Sequence, residues 1–458
     1  MNHSITDKHK LYNATPTWGY KAFRYYVGLF YNNFYNRKAY WIDMKNIPDD
    51  VPVMLVSNHQ NGLSDALGFA VAIDHPRRRL RMIARADAFK PLVAPALRWM
   101  GILPAYRSLY NGSASAVRNR ATLEEAEEEL IMDGIIGIYP EAGHQDKRWL
   151  GKFSVGYLHI VFEAARKTNF EKEIFIIPSC NHYSDYFDMY EQMLVWYGKP
   201  ISAKPYYKLY RENPIEARIQ FNKVIREKVS EMMLNITDLE NYDAIDYLRL
   251  TYGIEYANKL GYEPGKLPQK LIADKKLFAR LDSIKKEDNT SIQRIYKDTI
   301  RLKTGTEELG IYDRDFTQNH SWCGITLWLV ILTLLSPLFL VACIPNFLIY
   351  YVPRRVTSRV EDKMLHSGIH FGASVLFLMP LLYLITFVLM WTFFSFPIAL
   401  IHLFCLPFLG IFAWRYSRSY LRWVSAVKFL KLRKNKKLQE LTALRKNIYD
   451  RLNKVLFQ

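Results

Sequence analysis

Two uncharged stretches constrain this chain before anything else does. Trp322 to Val352 runs for 31 residues without a formal charge, and Ser367 to Trp414 for 48. A spanning helix needs about 20 apolar residues. The second run is long enough for two such helices, with Phe396-Pro397 near its midpoint as a natural turn. It therefore reads as helices over about 371–392 and 396–414. The first run carries Pro337 and Pro345, which remove backbone donors and suit a broken, re-entrant hairpin over 322–352. Arg354, Arg355, Arg359 and Lys363 separate the two runs, and Arg415, Arg418, Arg422 and a Lys/Arg-rich tail follow the second. Both basic segments mark the cytoplasmic side of a membrane. The hairpin reading keeps every polar part of the chain on that side.

Charge points the same way. The formal net charge is +18, and from residue 321 onward 17 Lys+Arg face only 4 Asp+Glu. A basic excess concentrated in the apolar part fits a lipid bilayer with an anionic surface rather than nucleic acid. Cys180, Cys323, Cys343 and Cys405 have no metal-like spacing, so neither zinc nor disulfides are implied and a reduced compartment fits.

The polar parts divide by pattern. Within residues 1–50, Trp18 to Tyr35 is aromatic and amphipathic but too polar to span, and reads as an interfacial helical segment. Residues 51–204 alternate short apolar runs (Val51–Val56, Leu80–Ile83, Ile135–Tyr139, Ile174–Ile177, Leu194–Tyr197) with helical stretches. That alternation predicts an α/β domain with a mostly parallel sheet flanked by helices. Residues 205–320 are polar and helical in pattern and read as a helical insert or arm. A membrane region follows over 321–414, then a basic cytoplasmic tail over 415–458.

Ligands of parallel sheets bind beyond the carboxyl ends of strands. His59 follows the first strand candidate, and Asp65 opens the helix after it. A carboxylate can hold an imidazole in one tautomer, leaving the other ring nitrogen to take a proton from a substrate. The same residues also read as an ordinary helix cap, by Ser64 or Asp65, beside a loop histidine. Glu141 and Arg107 follow other strand candidates. No Gly-x-Ser-x-Gly occurs, so a nucleophile-elbow hydrolase is excluded.

Four ordered blocks then stand out: Asn58-His59 with Asp65; Gly101 to Arg107; Tyr139-Pro140-Glu141-Ala142-Gly143; and Ile177 to Tyr183. In order and spacing they resemble the glycerolipid acyltransferases, which include the lysophosphatidate and glycerol-3-phosphate acyltransferases. Five residues separate His59 from Asp65, one more than is usual, as in a subgroup with C-terminal membrane helices. In the third block the usual arginine position holds His144, and Lys147, Arg148 or Lys152 lies close enough to substitute.

The resemblance implies a membrane-bound enzyme that moves an acyl group from acyl-CoA or acyl carrier protein to glycerol 3-phosphate or lysophosphatidate. No cofactor and no metal is implied. His59 would be the general base and Asp65 its orienting partner, with backbone N–H groups near the strand end stabilising the oxyanion. Arg107 would clamp the phosphate, and Glu141, Gly143, His144 and Lys152 would complete the acceptor site. Two alternatives stand beside this reading. One is a lysolipid or aminolipid O-acyltransferase with a non-phosphate acceptor. The other is a non-catalytic membrane scaffold of the same fold.

Overall fold

A computed structural model describes residues 16–457 except 75–77, 92, 107, 142, 144–146 and 188, and does not describe the side chains of 108–118 and 364. The chain forms two compact units. One joins Met1–Asn235 to Val356–Gly372; the other joins Ile236–Arg355 to Ala373–Gln458.

The first unit is built on a sheet of strands β1 (Lys38–Ile42), β2 (Val53–Ser57), β3 (Leu80–Arg85), β4 (Ile102–Ala105), β5 (Ile135–Ile138), β6 (Phe175–Tyr183), β7 (Gln192–Tyr197) and β8 (Ile201–Ser202). Its order is β1-β7-β6-β2-β5-β3-β4, with β8 on β6. All pairings are parallel except β6 with β7 and with β8. β2 lies at the centre because Val53-Met54-Leu55-Val56 is apolar on both faces, as a strand covered on both sides must be.

Helices α1 (Trp18–Phe30), α2 (Gly62–Ala72), α3 (Ala94–Trp99), α4 (Ser108–Ile131), α5 (Tyr157–Lys167), α6 (Tyr207–Glu212) and α7 (Pro214–Met232) complete the unit. α4, α5 and α7 share one core, through Ala126 and Leu130, through Leu158 and Phe162, and through Phe221, Ile225 and Val229. α2 covers the other side. A Cβ on Gly68 would come within 2.9 Å of Met193 and 3.1 Å of Val195, so only glycine lets α2 lie this close to β7. α1 packs on α2 in turn: Arg24 donates to the Val71 carbonyl, and Tyr20, Val27 and Tyr31 are buried while Trp18 and Tyr25 are exposed.

Two boundaries read from the sequence shift. The α/β domain does not begin at residue 51, because Lys38–Ile42 is a strand of the sheet, paired with β7. It does not end at 204, because α6 and α7 belong to its core. The stripe Ala217, Phe221, Ile225, Val229 repeats every four residues, and that face is too apolar to leave in water. Within the basic segment after residue 414, Lys436–Phe457 is an amphipathic helix. Its Leu441, Ile448 and Leu452 share a core with Leu277, Leu281, Ile292 and Ile295 of the helical arm in the second unit.

Among the described residues, three helices are long and apolar enough to cross a membrane: Trp322–Thr357, His366–Phe393 and Phe396–Lys431. The first is one continuous helix, not the re-entrant hairpin expected over 322–352. A proline costs one backbone hydrogen bond, whereas reversing the chain within an apolar segment would strand several. This helix runs antiparallel to Phe396–Lys431. Ile325 packs on Ala426 and Leu430 at one end, and the Tyr350 hydroxyl donates to the Gly410 carbonyl farther along.

Candidate active site

The carboxyl ends of β2, β5 and β6 come together in one place, because these strands are parallel neighbours in register (Val56 with Ile138, Ser57 with Ser179). The chain leaves β2 through Asn58, whose side chain continues the sheet. Its Nδ2 donates to the Asn181 carbonyl (3.0 Å) and its Oδ1 accepts from the Asn181 N–H (2.8 Å). His59 therefore departs from a backbone position fixed on both sides.

His59 Nδ1 lies 2.9 Å from Asp65 Oδ2. The same Oδ2 accepts from the N–H groups of Gln60 (2.8 Å) and Asn61 (2.9 Å), and Oδ1 accepts from the Tyr183 hydroxyl (2.7 Å). A carboxylate with no exposed surface thus collects four donors, the arrangement that suits a buried anion. It leaves the imidazole one role at Nδ1, that of donor, and so directs the lone pair to Nε2. Burial and the neighbouring Asp65 charge hold the Tyr183 phenol well above its ordinary range, so it remains a donor. Neither Ser64 nor Asp65 is the helix cap, because α2 begins at Gly62; Asp65 binds the turn before α2 with the same oxygen that holds the imidazole.

Glu141, two residues beyond Tyr139 at the end of β5, occupies the other side of His59. Its Oε1 accepts from the His59 N–H (2.7 Å) and its Oε2 from the Gly151 N–H (2.8 Å). Burial pushes its carboxyl up to about 7, against the opposing pull of those two donors. Each oxygen accepts one backbone N–H, so Glu141 ties His59 to the 151 loop. The N–H groups of His59, Gln60 and Asn61 are likewise spent on carboxylates, so they are not the oxyanion donors expected near the strand end.

The Tyr139 ring stacks on the imidazole at 4.4 Å and 10°. Tyr139 and Tyr183 are site residues that sequence reasoning quoted within motifs but gave no role. The signal was present for one of them: Asn181 and Tyr183 are two apart on a strand and share a face. Behind this layer the Tyr186 hydroxyl donates to Gln60 Oε1 (2.6 Å). Arg148 is buried against the Tyr186 ring and donates to the Tyr183 carbonyl (3.2 Å). Gln60 Nε2, Asn61 Oδ1 and Asn181 Oδ1 are buried without a partner among the described residues, so this end of the sheet has polar capacity left over.

Of the residues read from the sequence, His59, Asp65 and Glu141 meet here. A Cβ added at Gly143 would meet none of the described residues within 4 Å, and Lys152 is exposed one residue beyond Gly151. Arg107 and His144 lie outside the described residues.

Residues 40–184 match the Acyltransferase family model. That stretch holds His59, Asp65, Tyr139, Glu141 and Tyr183. No curated protein matches the chain. Among solved structures, the 1-acyl-sn-glycerophosphate (LPA) acyltransferase PlsC from Thermotoga maritima is similar at 16% identity, over 50% of this chain and 88% of that one, with a TM-score of 0.32. A likeness so distant carries no argument about the site.

Proposed function

We propose that this protein, an acyltransferase by the domain it carries over residues 40–184, moves a fatty acyl group from a thioester to a hydroxyl of glycerol 3-phosphate or lysophosphatidate, at a membrane and from its cytoplasmic face. The single observation that carries the chemistry is the His59 Nδ1 to Asp65 Oδ2 contact of 2.9 Å, on a carboxylate wholly removed from water.

His59 Nε2 takes the proton of the acceptor hydroxyl as its oxygen attacks the thioester carbonyl carbon. The new C–O bond forms, the tetrahedral intermediate collapses, and the C–S bond breaks. The imidazolium then returns the proton to the departing thiolate, giving an ester and a free thiol. Asp65 stays hydrogen-bonded at Nδ1 throughout and stabilises the imidazolium. No protein nucleophile is needed; Cys180 is buried and takes no part.

The acceptor's phosphate needs a cation. Arg107 follows β4 at its carboxyl end by sequence and is the guanidinium we assign to it. Arg148 is committed to tyrosines behind the site, which leaves exposed Lys152 to stand in for the arginine that His144 replaces in the third block. Because that arginine is missing, a lysolipid or aminolipid acceptor without phosphate is the second reading.

The test is thioester consumption by membranes containing the protein, supplied in turn with glycerol 3-phosphate, lysophosphatidate and a lysolipid lacking a free phosphate. We expect turnover with one of the phosphorylated acceptors and none after His59→Ala. Turnover only with the third acceptor establishes the second reading. A His59→Ala protein that retains turnover sinks the acid/base assignment.

A further inference from the structure

The first turn of α2, which presents Asp65, has no side-chain cap of its own from Asn61. It is held by a segment more than 300 positions away in sequence, the short helix His366–Phe371 of the same unit. The Ser64 and Ser367 hydroxyls lie 3.0 Å apart, and both residues are buried. The Tyr35 hydroxyl donates to the Ser367 carbonyl (2.6 Å), and the Tyr31 hydroxyl donates to the Ser64 carbonyl (3.0 Å). Phe371, fully buried, meets the edges of both tyrosine rings at 5.2 and 5.1 Å. Gly368 lies against Leu63 so closely that an added Cβ would be 2.5 Å from the Leu63 Cβ and 3.3 Å from its backbone. From Phe371 the chain runs on into the apolar helix that ends at Phe393.

Leu63 and Ser64 immediately precede Asp65 and share its helical turn. A displacement there moves the carboxylate, and the imidazole moves with it. We propose that Ser367 and Gly368 are positioning residues for the acyl transfer: the head of the apolar segment clasps the first turn of α2 and so sets the orientation of Asp65 toward His59. This rests on the acid/base reading above. It makes turnover dependent on the segment leading into the membrane region, acting through Leu63 and Ser64.

The test uses the full chain in lipid vesicles, with oleoyl-CoA and lysophosphatidate as probes. Gly368→Ala should lower kcat about 10- to 100-fold, since a misplacement near 1 Å costs on that order, while the KM for either substrate stays within about twofold. Ser367→Ala removes one hydroxyl without a clash and should lower kcat less, again with KM unchanged. Removing the opposing Cβ should relieve the clash, so Leu63→Gly combined with Gly368→Ala should recover most of the kcat of Leu63→Gly alone. Gly372→Ala, with nothing within 4 Å of the added Cβ, should match wild type.

Wild-type kcat in Gly368→Ala, or a loss shared equally with KM, overturns the proposal. So does a double variant with no recovery. If Gly368→Ala cannot be obtained folded, Ser367→Ala decides, and a wild-type kcat there overturns it. Retained turnover in His59→Ala would instead sink the acid/base reading; an inactive His59→Ala beside an unaffected Gly368→Ala sinks the clasp alone.

Discussion

Two carboxylates flank His59, and their surroundings give them different work. Asp65 collects four donors and faces the ring; Glu141 collects two and faces the backbone. Asp65→Asn keeps the size of the side chain but puts an amide where several donors converge, so the imidazole loses its tautomer control. We expect kcat to fall by about 10²–10⁴-fold, far beyond any change in acceptor KM; turnover at the wild-type rate would remove Asp65 from the mechanism. Glu141 invites a pH experiment. Its carboxyl is held up to about 7 in the fold, whereas an unfolded chain releases that proton near the usual carboxylate value of about 4.3. Between those values the folded state holds a proton that the unfolded state has lost, so stability falls as pH rises through the window and levels off above it. Glu141→Gln cannot titrate. The difference in Tm between wild type and variant should shift against the wild type from pH 5 to pH 8; a constant difference would refute the assignment.

The relevant unit among the elements is the pair β2–β6. Parallel strands in register bring His59 and Tyr183 to one end, and the Asn58 side chain extends the pairing one step beyond β2 through both backbone groups of Asn181. Asn58→Ala leaves the buried Asn181 N–H unpaired and its carbonyl with only the weak Cys180 thiol donor, at a cost of about 1–3 kcal/mol. It also releases the point from which His59 departs. Chemical denaturation should show the lost stability, and turnover should fall with it. A variant as stable and as active as wild type would mean that β6 alone holds the strand end. The same strand geometry explains which site residues were legible beforehand. His59 and Asp65 are close in sequence and chemically conspicuous, whereas Tyr139 meets them only when the strands are laid side by side.

For the whole molecule, the question is which parts share one side of the bilayer. Val356–Gly372 belongs to the same unit as the α/β domain. Within the other unit, Lys436–Phe457 shares a core with Asn289–Leu309. The three candidate spans all lie beyond residue 321, so among the described residues no such helix separates the α/β domain from the arm. We therefore expect single cysteines at Asn289, Ser358 and Gln439, in a background lacking the four native cysteines, to resist an impermeant thiol reagent until cells are opened. All three positions are exposed in the structure. Labelling of position 358 alone from outside would mean that Trp322–Thr357 crosses completely, and the same-side arrangement would fail.

The sequence by itself determined the fold class, the existence of the apolar helices and the central pair His59 and Asp65. Each of these is written in local pattern: strand-length apolar runs, long uncharged runs, and a histidine and a carboxylate six positions apart. Tertiary structure decided what depends on partners distant in the chain. It placed Lys38–Ile42 in the sheet and α7 in the core, and it gave Lys436–Phe457 a bundle to join. It turned Glu141 toward the backbone and brought Ser367 to Ser64. It also carried the chain straight through Pro337 and Pro345. The physical reason is the same in each case. An amphipathic helix, a polar side chain or a proline has several acceptable local states, and only the surface or donor it finally meets makes one of them lowest in free energy.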